Sequence, residues 1–299
     1  MADIGASVIA RLKERAAKDG LQLQLLLNLF CQEEFLRRIQ KTRYLNNLIL
    51  KGGFLLYSIS GYASRPTMDA DYLMKNQPND MVDVAKMVNE IIDVTNDPTF
   101  IKLEIVKLAI IAQHREYNGI RVNMVGVIKN TRTPFAVDFG VGDVVVPSPI
   151  KRRLEVLLSG FDHPEVLTYS FESIIAEKFD AIVSRMELTS RMKDFYDIYY
   201  LAITSNFEGA RLTAAISDTF KTRNSVLDRD TMNRVAALAN EKEMEALWNS
   251  FCTKTLKLQL DFREVVETIE SLLRPICKSL LEQDEIIGVW NRTNRKWDS

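Results

Sequence analysis

Asp69 and Asp71, in the segment Thr67-Met68-Asp69-Ala70-Asp71, are the residues whose type and spacing point most directly to chemistry. In an extended strand, residues i and i+2 face the same side, so the two carboxylates converge. Unpaired, they repel, and such a pair asks for a cation. Hard oxygen ligands suit Mg²⁺ or Mn²⁺, with coordination positions left for substrate phosphates. An isolated Asp-x-Asp is equally the acidic end of a solvated strand, so its surroundings decide.

Upstream, Lys51-Gly52-Gly53 falls between a short apolar run and the start of a helix. Glycines let a backbone approach a phosphate, and a helix N-terminus favours anions. A tight turn with a solvated lysine is the alternative. Downstream, Asp138 in Phe135-Ala136-Val137-Asp138-Phe139 lies on a separate predicted strand and can supply a third carboxylate to the same metals, or serve as an ordinary strand aspartate. Metal ions that bridge attacking and leaving oxygens are the usual logic of phosphoryl and nucleotidyl transfer. Further on come Glu177-Lys178 and Arg191-Met192-Lys193-Asp194-Phe195-Tyr196-Asp197. Asp194 and Asp197, three apart, share one helix face. Such charges often form solvated ion pairs, but the aromatic residues around them favour partial burial and a cleft.

The elements that must hold these residues follow from periodicity. Residues 7–45 read as helices: Ser7 is the expected first cap, Gly20 breaks the run, and Leu21 to Lys41 resumes at helical spacing. Leu48-Ile49-Leu50 reads as a buried strand, Phe54 to Ile59 as a helix start, Gly61 to Pro66 as a loop, and Thr67 to Met74 as a strand. A helix is expected over Asp80 to Val94, and a strand over Phe100 to Ile111. A hairpin at Asn118-Gly119 joins that strand to another over Ile120 to Ile128. From Lys151 onward the pattern reads as almost entirely helical, with breaks near Leu188 to Ser190 and a kink at Pro275. The fold class is α+β: an N-terminal helical arm (1–45), a small mixed β-sheet core (46–150) and a larger helical C-terminal domain (151–299).

Composition narrows the function classes. With 39 basic and 40 acidic residues, bulk charge implies no nucleic-acid partner, and any such contact needs a local patch. Lys151-Arg152-Arg153 and Arg292, Arg295 and Lys296 are the candidates. Cys31, Cys252 and Cys277 are far apart without zinc-ligand spacing, which predicts reduced, buried thiols. Only His114 and His163 are present, neither beside a partner motif, so Ser-His-Asp and multi-histidine zinc chemistry are disfavoured. No apolar run has the length of a membrane span and no signal peptide is evident, so a cytoplasmic location is expected.

In order along the chain, Lys51-Gly52-Gly53-Phe54-x-Leu56, Arg65-x-Thr67-x-Asp69-x-Asp71, Val137-Asp138-Phe139-Gly140-x-Gly142-Asp143, Glu177-Lys178 and Arg191-x-Lys193-Asp194-Phe195-Tyr196-Asp197 resemble the AbiEii type of nucleotidyltransferase. That type lies within the DNA polymerase beta-like superfamily, and it includes abortive-infection toxins and the related MenT toxins. The resemblance spans residues 51 to 197, about half the chain. It implies that Asp69 and Asp71 bind Mg²⁺, with Asp138 as third ligand and base for the attacking hydroxyl. It also implies that Lys51, Gly52, Gly53, Arg65 and Thr67 contact the nucleoside triphosphate. Lys178 would neutralise phosphate charge, and Asp194 would complete that side of the site by orienting Lys178. Fifteen residues, Phe54 to Met68, separate Gly53 from Asp69, slightly more than is usual; the loop Gly61 to Pro66 takes up the excess. Threonine at 67 replaces a frequent serine and keeps the hydroxyl. Asp138-Phe139-Gly140 also spells a protein-kinase motif, but the kinase glycine-rich and His-Arg-Asp loops are missing.

The resemblance further implies the toxin half of a toxin–antitoxin pair. Such an enzyme would transfer a nucleoside monophosphate from NTP to RNA, the 3′ end of tRNA above all, and so block translation, with a cognate antitoxin as partner. The alternatives are nucleotidylation of a protein side chain and a non-catalytic nucleotide-binding module. Three acids in one motif set weigh against the last.

Overall fold

The computed structural model describes residues 3–94, 100–111, 119–284 and 288–298. They fall into two compact units. The first comprises residues 1–142 and 150–168, so the N-terminal helices lie in the same unit as the sheet. The second comprises residues 143–149 and 169–299.

The first unit opens with α1 (Ile4–Asp19) and α2 (Leu23–Ile39). Asp3, not Ser7, caps α1: its carboxylate accepts from the Ala6 amide at 2.9 Å and is paired with Lys129. Gly20 ends α1 in the left-handed region at φ 63°, where a side chain is disfavoured. From Leu26 to Ile39 every residue of α2 is buried, charged ones included. Those charges are tolerated because they pair within the helix: Arg37 and Arg38 lie 3.1 and 2.9 Å from Glu34, and Arg37 lies 3.5 Å from Glu33.

The sheet is built from β1 (Leu48–Lys51), β2 (Asp69–Met74), β3 (Lys102–Ile111), β4 (Gly119–Ile128), β5 (Thr131–Gly140), β6 (Ile150–Arg153) and β7 (Glu165–Thr168). Helix α3 (Gly52–Ile59) follows β1 directly, and α4 (Met81–Asp93), capped by Asp80, follows β2. The strand order is β3-β4-β5-β2-β1-β7-β6. The β2–β5 and β1–β7 pairs are parallel and the rest antiparallel, so the sheet is mixed. β3 and β4 pair antiparallel as the hairpin signal requires; Asn118 of that signal and His114 lie outside the described residues.

Strands β6 and β7 overturn the expectation that everything beyond Lys151 is helical. Each has four residues, too few for a periodicity to register. β7 reads as strand through its parallel pairing with β1, Ile49 to Leu167 and Leu50 to Thr168, and its antiparallel pairing with β6.

The second unit holds α5 (Phe171–Val183), α6 (Met192–Thr204), α7 (Gly209–Thr222), α8 (Thr231–Ala237), α9 (Lys242–Phe251) and α10 (Phe262–Glu282). Helix α5 is capped by Ser170, a 3₁₀ turn at Met186–Leu188 separates it from α6, and α10 continues through Pro275. A three-stranded sheet of β8 (Phe207–Glu208), β9 (Val289–Asn291) and β10 (Lys296–Asp298) is a second departure from the all-helical expectation. It is fastened by Trp290, fully buried, whose Nε1 donates to the Ala202 carbonyl at 2.8 Å. No described helix is long and apolar enough to cross a membrane.

Candidate active site

Strand register assembles the acidic site of the first unit. On β2, Asp69 and Asp71 alternate with buried Ala70 and Tyr72. Asp71 is the direct neighbour of Asp138 on β5, of Lys51 on the other side on β1, and Asp138 in turn is the neighbour of Arg121 on β4. Directly opposed residues share a sheet face. Four adjacent strands thus carry a transverse row, Lys51–Asp71–Asp138–Arg121, with cations at both ends and Asp69 two positions along β2. The Asp69 side chain is 54% exposed and that of Asp138 only 14%.

Arg121 was not among the sequence candidates. Its Nε and Nη2 donate to Oδ1 and Oδ2 of Asp138 at 2.7 and 2.6 Å, and Nη2 lies 3.7 Å from Asp69 Oδ1. A signal existed: β4 and β5 form a hairpin closed at Ile128–Thr131, and counting seven residues outward from that pair on each strand gives Arg121 opposite Asp138. Burial pushes the pKa of Asp138 above the ordinary carboxylate value. Asp71 and Asp69 push the same way, against the opposing pull of Arg121.

The glycine turn lies hard against this row. Gly52 has φ 71°, and a Cβ there would stand 2.3 Å from Asp71 Oδ2; a Cβ on Gly53 would stand 2.9 Å from Arg65 Nη2. Only glycines allow Asp71 and the buried Arg65 guanidinium to approach the first turn of α3 this closely. Helix α2 holds the loop leading into β2. Gln32 Nε2 donates to the Met68 carbonyl at 2.5 Å, and Tyr62 Oη donates to the Glu33 carboxylate. Thr67 is half-buried in that loop, two residues ahead of Asp69.

Lys178 and Asp194 belong to the second unit. Lys178 Nζ, on a side chain 11% exposed, lies 2.8 Å from Asp194 Oδ1 and 3.1 Å from Asp197 Oδ2. Arg191 Nε lies 2.6 Å from Asp194 Oδ2. Burial alone would raise the Asp194 value, but Lys178 and Arg191 prevail and hold it at about 2. A second network, which sequence gave no sign of, centres on Arg223. It lies 2.9 Å from Asp143, 2.8 Å from Glu177 and 3.1 Å from Asp180. Contacts across 40 and more residues leave no local pattern.

Other candidates resolve more simply. Cys31, Cys252 and Cys277 are buried and free, and burial pushes the Cys31 and Cys277 thiols up to about 12, far from a reactive thiolate. His163 Nδ1 is 2.9 Å from the Leu154 carbonyl, a structural contact. Lys151 is 3.2 Å from Glu165 and Arg152 donates to Thr168 Oγ1. Arg292 donates to the Thr204 carbonyl, and Arg295 is 2.8 Å from Glu264 and lies over the Tyr199 ring. Among the described residues, no group of three or more His, Cys, Asp and Glu side chains is arranged to hold a metal ion. The Asp69–Asp71 pair still fits Mg²⁺, which is commonly held by one or two carboxylates plus substrate phosphates rather than by a full protein cage.

Comparison with known proteins supplies the class. The family model for the nucleotidyl transferase AbiEii toxin of type IV toxin–antitoxin systems matches residues 34–268, so this α+β chain is a nucleotidyltransferase. The chain belongs to the AbiEii nucleotidyltransferase toxin family. Among solved structures it is similar to JHP933 from Helicobacter pylori, at 16% identity and TM-score 0.47 over 88% of this chain and 96% of that one. A second H. pylori protein, described as a candidate nucleotidyltransferase, is 15% identical with TM-score 0.46 over 89% of this chain and all of the other. No curated protein matches. The family implies a nucleoside triphosphate substrate and an antitoxin partner.

Proposed function

We propose that this toxin transfers a nucleoside monophosphate from NTP to an RNA acceptor, the 3′ end of tRNA, with Mg²⁺ held by Asp69 and Asp71. The observation that carries the reading is the row Lys51–Asp71–Asp138–Arg121 lying against Gly52 at the start of α3. Mg²⁺ bound there supplies charge neutralisation of the triphosphate and of the attacking oxygen.

The chain's own groups do the rest. The first turn of α3 has no side-chain cap on its amides, and the helix dipole favours phosphate there. Arg65 beside Gly53, and Lys51 beside Asp71, add positive charge for the triphosphate, with Thr67 as a hydroxyl donor. Asp138 accepts the proton of the acceptor hydroxyl as its oxygen attacks the α-phosphorus; the bond to the bridging oxygen breaks and pyrophosphate leaves. Its burial beside two other carboxylates makes it more basic than a solvated aspartate. In the second unit, Asp194 and Asp197 fix the Lys178 ammonium. Lys151 and Arg153, exposed on the edge strand β6, are candidate contacts for the RNA backbone.

The test is incubation of the purified full chain with each α-labelled NTP in turn, Mg²⁺ and total tRNA, reading tRNA length and the position of the label by denaturing gel. The wild type is expected to extend tRNA, and Asp71→Asn to lower the rate by at least about 100-fold. Equal extension by both proteins, or label entering protein in place of RNA, contradicts the reading.

A further inference from the structure

Three carboxylates on two adjacent strands repel one another whether or not a divalent ion is present, and the fold must offset that repulsion. In the first unit Arg121 is placed to do so. Its fork takes both oxygens of Asp138, at 2.7 and 2.6 Å, and one arm extends to 3.7 Å from Asp69 Oδ1. Two parallel N–H···O⁻ bonds fix the plane of a carboxylate as well as its charge, which an ammonium does not. The fork also takes one lone pair on each Asp138 oxygen and places a positive charge where a metal would approach. Arg121 is 39% exposed on its side chain, so it can withdraw from Asp138 without opening the core.

We propose that Arg121 is the resident counter-cation of the carboxylate site. It holds Asp138 against Asp71 while no divalent ion is bound, and it competes with a divalent ion for the oxygens of Asp138. Metal loading is therefore coupled to release of the guanidinium. Arg121 is a positioning residue that acts through Asp138, and the proposal rests on the reading of Asp69 and Asp71 as metal ligands with Asp138 as the third.

The probe is Mn²⁺ alone, titrated into the nucleotide-free full chain and followed by the electron paramagnetic resonance of the free ion. Wild type, Arg121→Gln, Arg121→Lys and Asp71→Asn are compared, each also melted in EDTA and in Mn²⁺. Removing a competing unit charge a few ångströms from the site is expected to tighten Mn²⁺ binding by about tenfold in Arg121→Gln. That variant is also expected to melt lower than wild type in EDTA and to recover when Mn²⁺ is added. Arg121→Lys keeps the charge without the fork and is expected to fall between the two. If Arg121→Gln binds Mn²⁺ no tighter than wild type while Asp71→Asn loses binding, the counter-cation proposal is overturned and the metal reading stands. If Asp71→Asn binds as wild type does, or neither wild type nor Arg121→Gln binds, the metal reading falls and the proposal with it.

Discussion

Asp194 shows how a single buried acid is held charged. It is 1% exposed, yet Lys178 and Arg191 on either side keep its value at about 2 against an ordinary 3.8. A carboxylate whose folded value is depressed stabilises the fold above its unfolded value and loses that contribution as pH falls through the folded value. The window here is about pH 4 down to about pH 2, and the linked stability is roughly 2 kcal/mol. Asp194→Asn should cost about 3 kcal/mol near neutral pH by leaving Lys178 and Arg191 short of a partner. Denaturant melts at pH 7 and at acid pH should show the gap to wild type narrowing as pH falls towards 2; a gap independent of pH would contradict the ion-pair account. At this scale the acids were legible. Asp69 and Asp71 follow from strand spacing, and Asp138 from an apolar run with one charge in it. Arg121 needed the hairpin register, and Arg223 needed contacts between residues 143, 177, 180 and 223 that only the folded chain brings together.

Among the elements, the β1–α3 turn carries the sharpest constraint. Gly20 and Gly52 both have positive φ, 63° and 71°, but a Cβ on Gly20 would meet nothing within 4 Å, whereas one on Gly52 would collide with Asp71 Oδ2. Gly20→Ala should therefore cost only the backbone term, about 1 kcal/mol. Gly52→Ala should cost more in a thermal melt and lower nucleotide transfer by at least about tenfold, because Asp71 must move. Equal effects of the two substitutions on transfer would remove Gly52 from the site. Long elements were readable from periodicity: α2 and α4 lie within the helical spacing of Leu21 to Lys41 and Asp80 to Val94, and the break expected near Leu188 to Ser190 falls between α5 and α6. Short ones were not. β6 reads as a basic run, Ile150-Lys151-Arg152-Arg153, and becomes a strand only by pairing with β7. The cap of α1 was misplaced because Ser7 and Asp3 are both good caps, and the Ala6 amide together with Lys129 favours Asp3.

For the molecule as a whole, the chain completes five strands, passes residues 143–149 to the second unit, returns for β6 and β7, and then builds its helices. That return is why composition along the sequence does not mark the division between units. The family match over residues 34–268 covers parts of both units. The central claim is that the α-phosphoryl group, with its nucleoside, is what moves, and that RNA receives it. The most direct measurement supplies the full chain with Mg²⁺, tRNA and NTP labelled on either the α- or the γ-phosphorus. Label from the α position alone should appear in tRNA, with γ label recovered as pyrophosphate, and neither should move with Asp71→Asn. Transfer of the γ label to the acceptor, or α label entering tRNA equally with Asp71→Asn, would contradict the account.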